Sequence, residues 1–194
     1  DAIQLHFNIP QELAMREGDR DFKGIIDNVE KIIRKSPVPV IAKEVGFGFS
    51  KEAVQTLFNA GVRFFDIGGK GGTNFIAIED KRHGMFGGEF NDWGIPTACS
   101  LAEVLSLKLP ITVIASGGIR STLDTTKALA MGADYVGIAG SFLKIVLNQG
   151  QDKLDESIND LIYRLKAAFL MSGAKDIEEI RQKPVIILGK TEQY

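Results

Sequence analysis

The chain has 194 residues, 44% of them hydrophobic, enough for one sizeable core. Basic and acidic residues nearly balance at a net charge of −2, which offers no footprint for nucleic acid. One cysteine, Cys99, excludes an internal disulfide framework and fits a reducing cytoplasm; no run of ~18 apolar residues and no signal peptide point to a membrane.

The chain opens at Asp1 directly on an apolar run, which reads as a start inside a fold. Five short, continuous apolar runs are expected as strands: 2–7, 38–42, 64–67, 112–116 and 135–139. Such runs suit parallel strands buried on both faces. Between the first two, Phe22, Ile25, Ile26, Val29, Ile32 and Ile33 draw one apolar helix face. Ser50 is positioned to cap a helix carrying Ala53, Val54, Leu57 and Phe58, which Gly61 ends. Ser100 and Glu103 have capping-box spacing ahead of another helix. Ser121 opens a helix through Ala128 and Met131, closed at Gly132, and a last helix carries Leu154, Ile158, Leu161, Ile162, Leu165 and Phe169. The segment 74–97 is polar and glycine-rich and is expected as a long loop at the active face.

Five strand–helix alternations imply parallel βα units in one domain over 1–194, with no linker-rich boundary. The expected architecture is a (βα)8 TIM barrel, which typically needs about 250 residues. This chain would then supply about the C-terminal five units, with some three units preceding Asp1; an open sheet is the other solution.

Two glycine turns stand out. Gly68-Gly69-Lys70-Gly71-Gly72-Thr73 follows Phe64–Ile67, and Ser116-Gly117-Gly118-Ile119-Arg120 follows Thr112–Ala115. A glycine turn after a buried strand exposes backbone N–H groups with no side chain in the way, so a phosphate can sit on them. Ala139 and Gly140 end the last strand in the same small-residue fashion, and loops after the last two strands of a barrel often hold phosphate. Plain tight turns remain the other reading. His6 and Asn8, two apart, are expected on one side of the first strand, with Gln11 and Glu12 at its carboxyl end. Lys43 ends the second strand and could meet an anion or be tied up by Glu44 or another carboxylate. Asp80-Lys81-Arg82-His83 reads as a solvated charge run, and Trp93 either covers a pocket or anchors its loop. A lone Glu12 would bind Mg²⁺ only with phosphate help.

These motifs, taken in order, resemble the type 2 isopentenyl-diphosphate delta-isomerases. The resemblance rests on His6-Phe-Asn8-Ile-Pro-Gln11-Glu12, Glu17-Gly-Asp-Arg20, Pro39-Val-Ile-Ala-Lys43-Glu44-Val-Gly46-Phe-Gly48 and Asp66-Ile-Gly68-Gly69-Lys-Gly71-Gly72-Thr73-Asn74-Phe75. It continues through Trp93-Gly94-Ile95, Ala115-Ser116-Gly117-Gly118 and Gly137-Ile-Ala139-Gly140, nearly the whole chain. It implies an FMN-dependent barrel that interconverts isopentenyl and dimethylallyl diphosphate by a 1,3-allylic proton shift, with reduced FMN, Mg²⁺ and NADPH as reductant. It also implies a homo-oligomer, tetramer or octamer. By matching position, Gln11, His6 and Asn8 would line the substrate site and Glu12 would bind Mg²⁺. Lys43, Gly68, Thr73, Gly117, Gly118, Ile119, Ala139 and Gly140 would bind FMN. Glu79 and Trp93 resemble further pocket residues. The family's amino-terminal diphosphate-binding half has no counterpart here, so this chain alone is expected to be inactive. Another FMN barrel oxidoreductase, with a histidine base or a cysteine nucleophile, finds His83 and Cys99 poorly placed. An inactive barrel fragment is the remaining alternative.

Overall fold

The structure, a computed structural model, describes residues 1–192, and for His83 and Lys190 the backbone alone. Five strands form one sheet among the described residues: β1 (Ile3–Phe7), β2 (Val40–Glu44), β3 (Phe64–Asp66), β4 (Thr112–Ser116) and β5 (Tyr135–Gly137). All neighbours are parallel and lie in sequence order. This is the wall of a partial TIM barrel, as the alternation of elements predicts. The second strand starts two residues later than expected. Pro37 and Pro39 have no N–H for the ladder; Pro39 contributes only its carbonyl, which accepts from Ile3 at 3.0 Å.

Between the strands run α1 (Ile9–Ala14), α2 (Ile25–Lys35), α3 (Lys51–Asn59), α4 (Phe75–His83), α5 (Thr97–Ser106) and α6 (Thr122–Met131). After the last strand come α7 (Gly140–Gln149), α8 (Gln151–Met171) and α9 (Ile177–Ile180). The main core lies between the sheet and its helices. Ala42, Phe65, Ile67, Val113 and Ala115 meet Val54, Leu57, Leu101, Val104 and Ala128 there. Strand alternation puts the other set, His6, Lys43, Asp66, Ser116 and Tyr135, on the opposite face, which in a closed barrel is the interior. Tyr135 is 63% exposed on that face.

Several local expectations hold. Ser50 accepts the Ala53 N–H as the cap of α3, and Gly61 follows the helix end at φ +103. Ser121 and Asp124 form a reciprocal capping box on α6, and Gly132 ends it in the left-handed region. Others fail for identifiable reasons. Ser100 and Glu103 cap nothing of their own, because α5 already begins at Thr97. Ser100 Oγ donates to the Phe49 carbonyl at 2.7 Å, and Glu103 accepts the Lys51 N–H at 3.0 Å, so both clamp the β2–α3 connection. The segment 74–97 is not one long loop: Asn74 accepts the Ala77 N–H and caps α4. Asp80, read as part of a solvated charge run, accepts the Phe86 and Gly88 N–H groups at 2.7 and 2.8 Å and ties down the glycines behind α4. Helix α7 was not among the expected elements, and none of its residues is buried.

Candidate active site

Parallel strands deliver their carboxyl ends to one side of the sheet, and the expected site residues gather there. His6, Lys43 and Asp66 stand in a row, paired by register across β1, β2 and β3. The Lys43 ammonium lies 2.5 Å from Asp66 Oδ2. Glu44, one residue further, points to the opposite face. Its carboxylate accepts the N–H groups of Gly46, Phe47 and Gly48 at 2.8, 2.6 and 3.0 Å. Burial pushes the Glu44 carboxyl above the usual range, and those N–H bonds offset the shift only in part. Of the two partners open to Lys43 in sequence, strand alternation therefore selects the distant one.

The strand β1 stops at Phe7, so Asn8 does not continue its alternation. Asn8 occupies the N-cap position of α1, and its amide donates to Glu12 Oε1 at 3.0 Å. Gln11 and Glu12 lie on α1 rather than on an extended strand tail. Glu12 Oε2 accepts the Asp19 N–H at 3.1 Å. The Gln11 amide faces Glu79 Oε1 at 3.5 Å, across from α4. Glu79 is 3% exposed and is held by Arg82 at 2.8 Å. Two residues 68 apart in sequence are thus brought together.

The glycine turns behave differently from simple open cradles. Gly69 gives its N–H to the Ser116 carbonyl, and Arg120 donates to the Gly71 carbonyl at 2.9 Å. Thr97 Oγ1 donates to the Gly117 carbonyl at 2.5 Å. The two turns are packed backbone on backbone. Gly68 is equally confined: a Cβ there would lie 1.8 Å from the Glu44 carbonyl oxygen. Gly68 is therefore a packing glycine, and Ile119 sends its side chain into the core. The N–H groups of Gly117, Gly118 and Ile119 are not taken by any turn or loop acceptor among the described residues. Beside them, across the Ser116–Gly137 pairing, Ala139 and Gly140 begin α7 without a side-chain cap, and a Cβ at Gly140 would meet nothing within 4 Å. Free donors, an uncapped helix start and an open glycine fit a phosphate group. With Lys43 on the same strand-end side, the donor set fits FMN. Thr73 is exposed beyond the first turn.

For a metal the fit is narrower. Among the described residues no group of three or more His, Cys, Asp or Glu side chains can hold an ion, so Glu12 would serve only with oxygens from a substrate. Trp93 stands apart from this cluster. It is 59% exposed, sits edge-on to Phe90 and rims an apolar cleft of about 860 Å³ lined by Phe7, Phe22, Ile25, Phe47 and Phe49. That cleft contains none of His6, Lys43 or Gln11. Cys99 is buried in α5 and burial pushes its thiol up, which removes it as a thiolate nucleophile. The side chain of His83 lies outside the described residues. Sequence reading missed Asp66, Ser116 and Thr97 as site-forming residues. Asp66 and Ser116 are each the last residue of a strand that leads into a glycine turn, which was the available signal.

Residues 15–187 match the family described as FMN-dependent dehydrogenase. The chain is 49% identical over its full length to an isopentenyl-diphosphate delta-isomerase from Moorella thermoacetica, and covers 56% of that protein. It is 50% identical over 98% of its length to one from Bacillus cytotoxicus, covering 54% of it. The chain thus spans about half the length of the curated relatives it matches. Among solved structures it superposes on a GMP reductase from Trypanosoma brucei with a TM-score of 0.64 at 24% identity, over 94% of this chain and 39% of that one. A mandelate oxidase gives a TM-score of 0.63 at 21% identity, over 82% and 40%. These two likenesses speak to fold alone. Among the described residues no helix is long and apolar enough to cross a membrane.

Proposed function

The chain belongs to the FMN-dependent dehydrogenase family, and from that premise we propose that it carries the larger part of the active site of an FMN-dependent isopentenyl-diphosphate delta-isomerase. In this reading it forms the C-terminal five units of the barrel, and the protein acts in the cytoplasm as a homo-oligomer, tetramer or octamer. What supports the substrate is the identity of about half of all positions to isomerases over the full chain. The observation that carries the chemistry is the convergence at one sheet end of Lys43, the Gln11–Glu79 pair, Glu12 and the backbone donors of the turn after β4 and of the start of α7.

Bound FMN, reduced by NADPH, supplies the acid–base group for a 1,3-proton shift with no net redox change. The chain's own residues have the following parts. Gly117, Gly118, Ala139 and Gly140 hold the cofactor phosphate through backbone N–H groups. Lys43 offers a cation to the ring, which favours a negative charge there. Glu12 holds Mg²⁺ against the substrate diphosphate, and its bond from Asn8 fixes the carboxylate's orientation. Gln11, steadied by Glu79, orients the substrate, with His6 lining the same site from β1, in register with Lys43. The test is conversion of isopentenyl to dimethylallyl diphosphate by the complete protein under reducing conditions with FMN and Mg²⁺. Flavin uptake without interconversion would overturn the isomerase reading and leave an FMN barrel of other chemistry.

A further inference from the structure

We propose that Asp66 is a positioning residue for Lys43: its carboxylate fixes the ammonium at the strand end and tempers the charge that a bound flavin meets. This rests on the FMN reading above and deepens it.

The argument begins with register. Lys43 and Asp66 are direct partners across β2 and β3, on the face away from the helices, so the backbone itself sets their approach. The two carboxylate oxygens divide their work. Oδ2 takes the Lys43 ammonium at 2.5 Å, and Oδ1 accepts the hydroxyl of Ser116 on β4 and, at 3.4 Å, the Gly68 N–H. Three adjacent strand ends are thereby joined through one side chain that is 7% exposed. Lys43 is itself 24% exposed at its side chain and uses one of its three donors on Asp66, which leaves two for a ligand. An ammonium in contact with a carboxylate presents a dipole to its surroundings, weaker than a free charge. A pair serving the fold alone would not influence a flavin at the sheet end; this pair must, if Lys43 touches it.

The experiment is the midpoint potential of FMN bound to the complete protein. Asp66→Asn keeps the shape, since the amide oxygen still accepts from Lys43 and the Ser116 hydroxyl can rotate to accept from the amide nitrogen; only the long 3.4 Å bond from the Gly68 N–H is given up. It removes the compensating charge. Reduced flavin carries the extra negative charge, so the potential is expected to move positive, by about 30 mV if reduced flavin is held tenfold more tightly relative to oxidised. In a Lys43→Met background the same substitution is expected to shift it by less than half as much. Equal shifts in both backgrounds would show that Asp66 acts on the flavin directly and would overturn the proposal. Ser116→Ala decides the matter if a charge variant fails to fold or to hold flavin. It strips a donor from Asp66, strengthens the neutralisation of Lys43 and is expected to move the potential negative; no shift, or a positive one, overturns the proposal. Failure of the unaltered protein to bind FMN would overturn the underlying site reading, whereas flavin bound with unresponsive potentials overturns the Asp66 role alone.

Discussion

Gly71 and Gly118 face each other so closely that a Cβ added to Gly118 would lie 2.2 Å from the Gly71 carbonyl oxygen. The two belong to different glycine turns, after β3 and after β4, and Gly118 also adopts φ +76. Glycine is therefore required there by the protein's own backbone before any ligand is considered.

This separates two glycines that sequence reading treats alike. Gly118→Ala should cost about 2 kcal/mol or more, from the positive φ and the backbone collision together. Gly140→Val should leave the fold nearly intact, because its Cβ has open space, yet should lower FMN retention if the phosphate sits there. Thermal melts with and without FMN on both variants give the comparison. A Gly140→Val protein that binds FMN normally removes Gly140 from the phosphate site.

Glu44→Ala would leave the Phe47 N–H without its acceptor, while the Gly46 and Gly48 N–H groups keep the Gly68 carbonyl at 2.8 and 3.2 Å, at a cost of about 2 kcal/mol. Glu44→Gln keeps an acceptor and reports on pH. Burial raises the Glu44 carboxyl in the folded state, so its favourable contribution is complete below the ordinary value of 4.5 and is lost as pH rises through the higher folded value. The stability of the native protein relative to Glu44→Gln should accordingly fall as pH rises from below 4.5 through the higher folded value, as read from urea midpoints. A difference that grows over this range would mean that the N–H bonds outweigh burial.

Glu12→Gln should preserve the fold and flavin content, since the Gln oxygen can still accept from Asn8 or Asp19. Isomerase turnover should drop at least tenfold, with a raised Mg²⁺ requirement, because a neutral amide is a poor ligand for a hard cation. Native rates at low Mg²⁺ would reduce Glu12 to a turn residue.

Ser121→Ala removes half of the capping box on α6, which follows the second glycine turn. A loss of about 1 kcal/mol is expected in chemical denaturation. No change would indicate that Asp124, bonded to the Arg120 and Ser121 N–H groups, holds the helix start alone.

Continuous apolar runs separated by helical periods determined, from sequence by itself, a parallel βα protein and the order of its strands, because burial on both faces leaves that pattern in any parallel sheet. Capping residues with short local reach, Ser50 and Ser121, were equally legible. The tertiary structure alone decided matters of long reach. Ser100 carries a capping signature yet bonds a loop 51 residues away, because packing started its helix earlier. Gly68 and Gly118 look like phosphate glycines but are first demanded by neighbouring backbone. Lys43 stands next to Glu44 in sequence and pairs with Asp66 in space, since successive residues of a strand face opposite sides while partners in register share one.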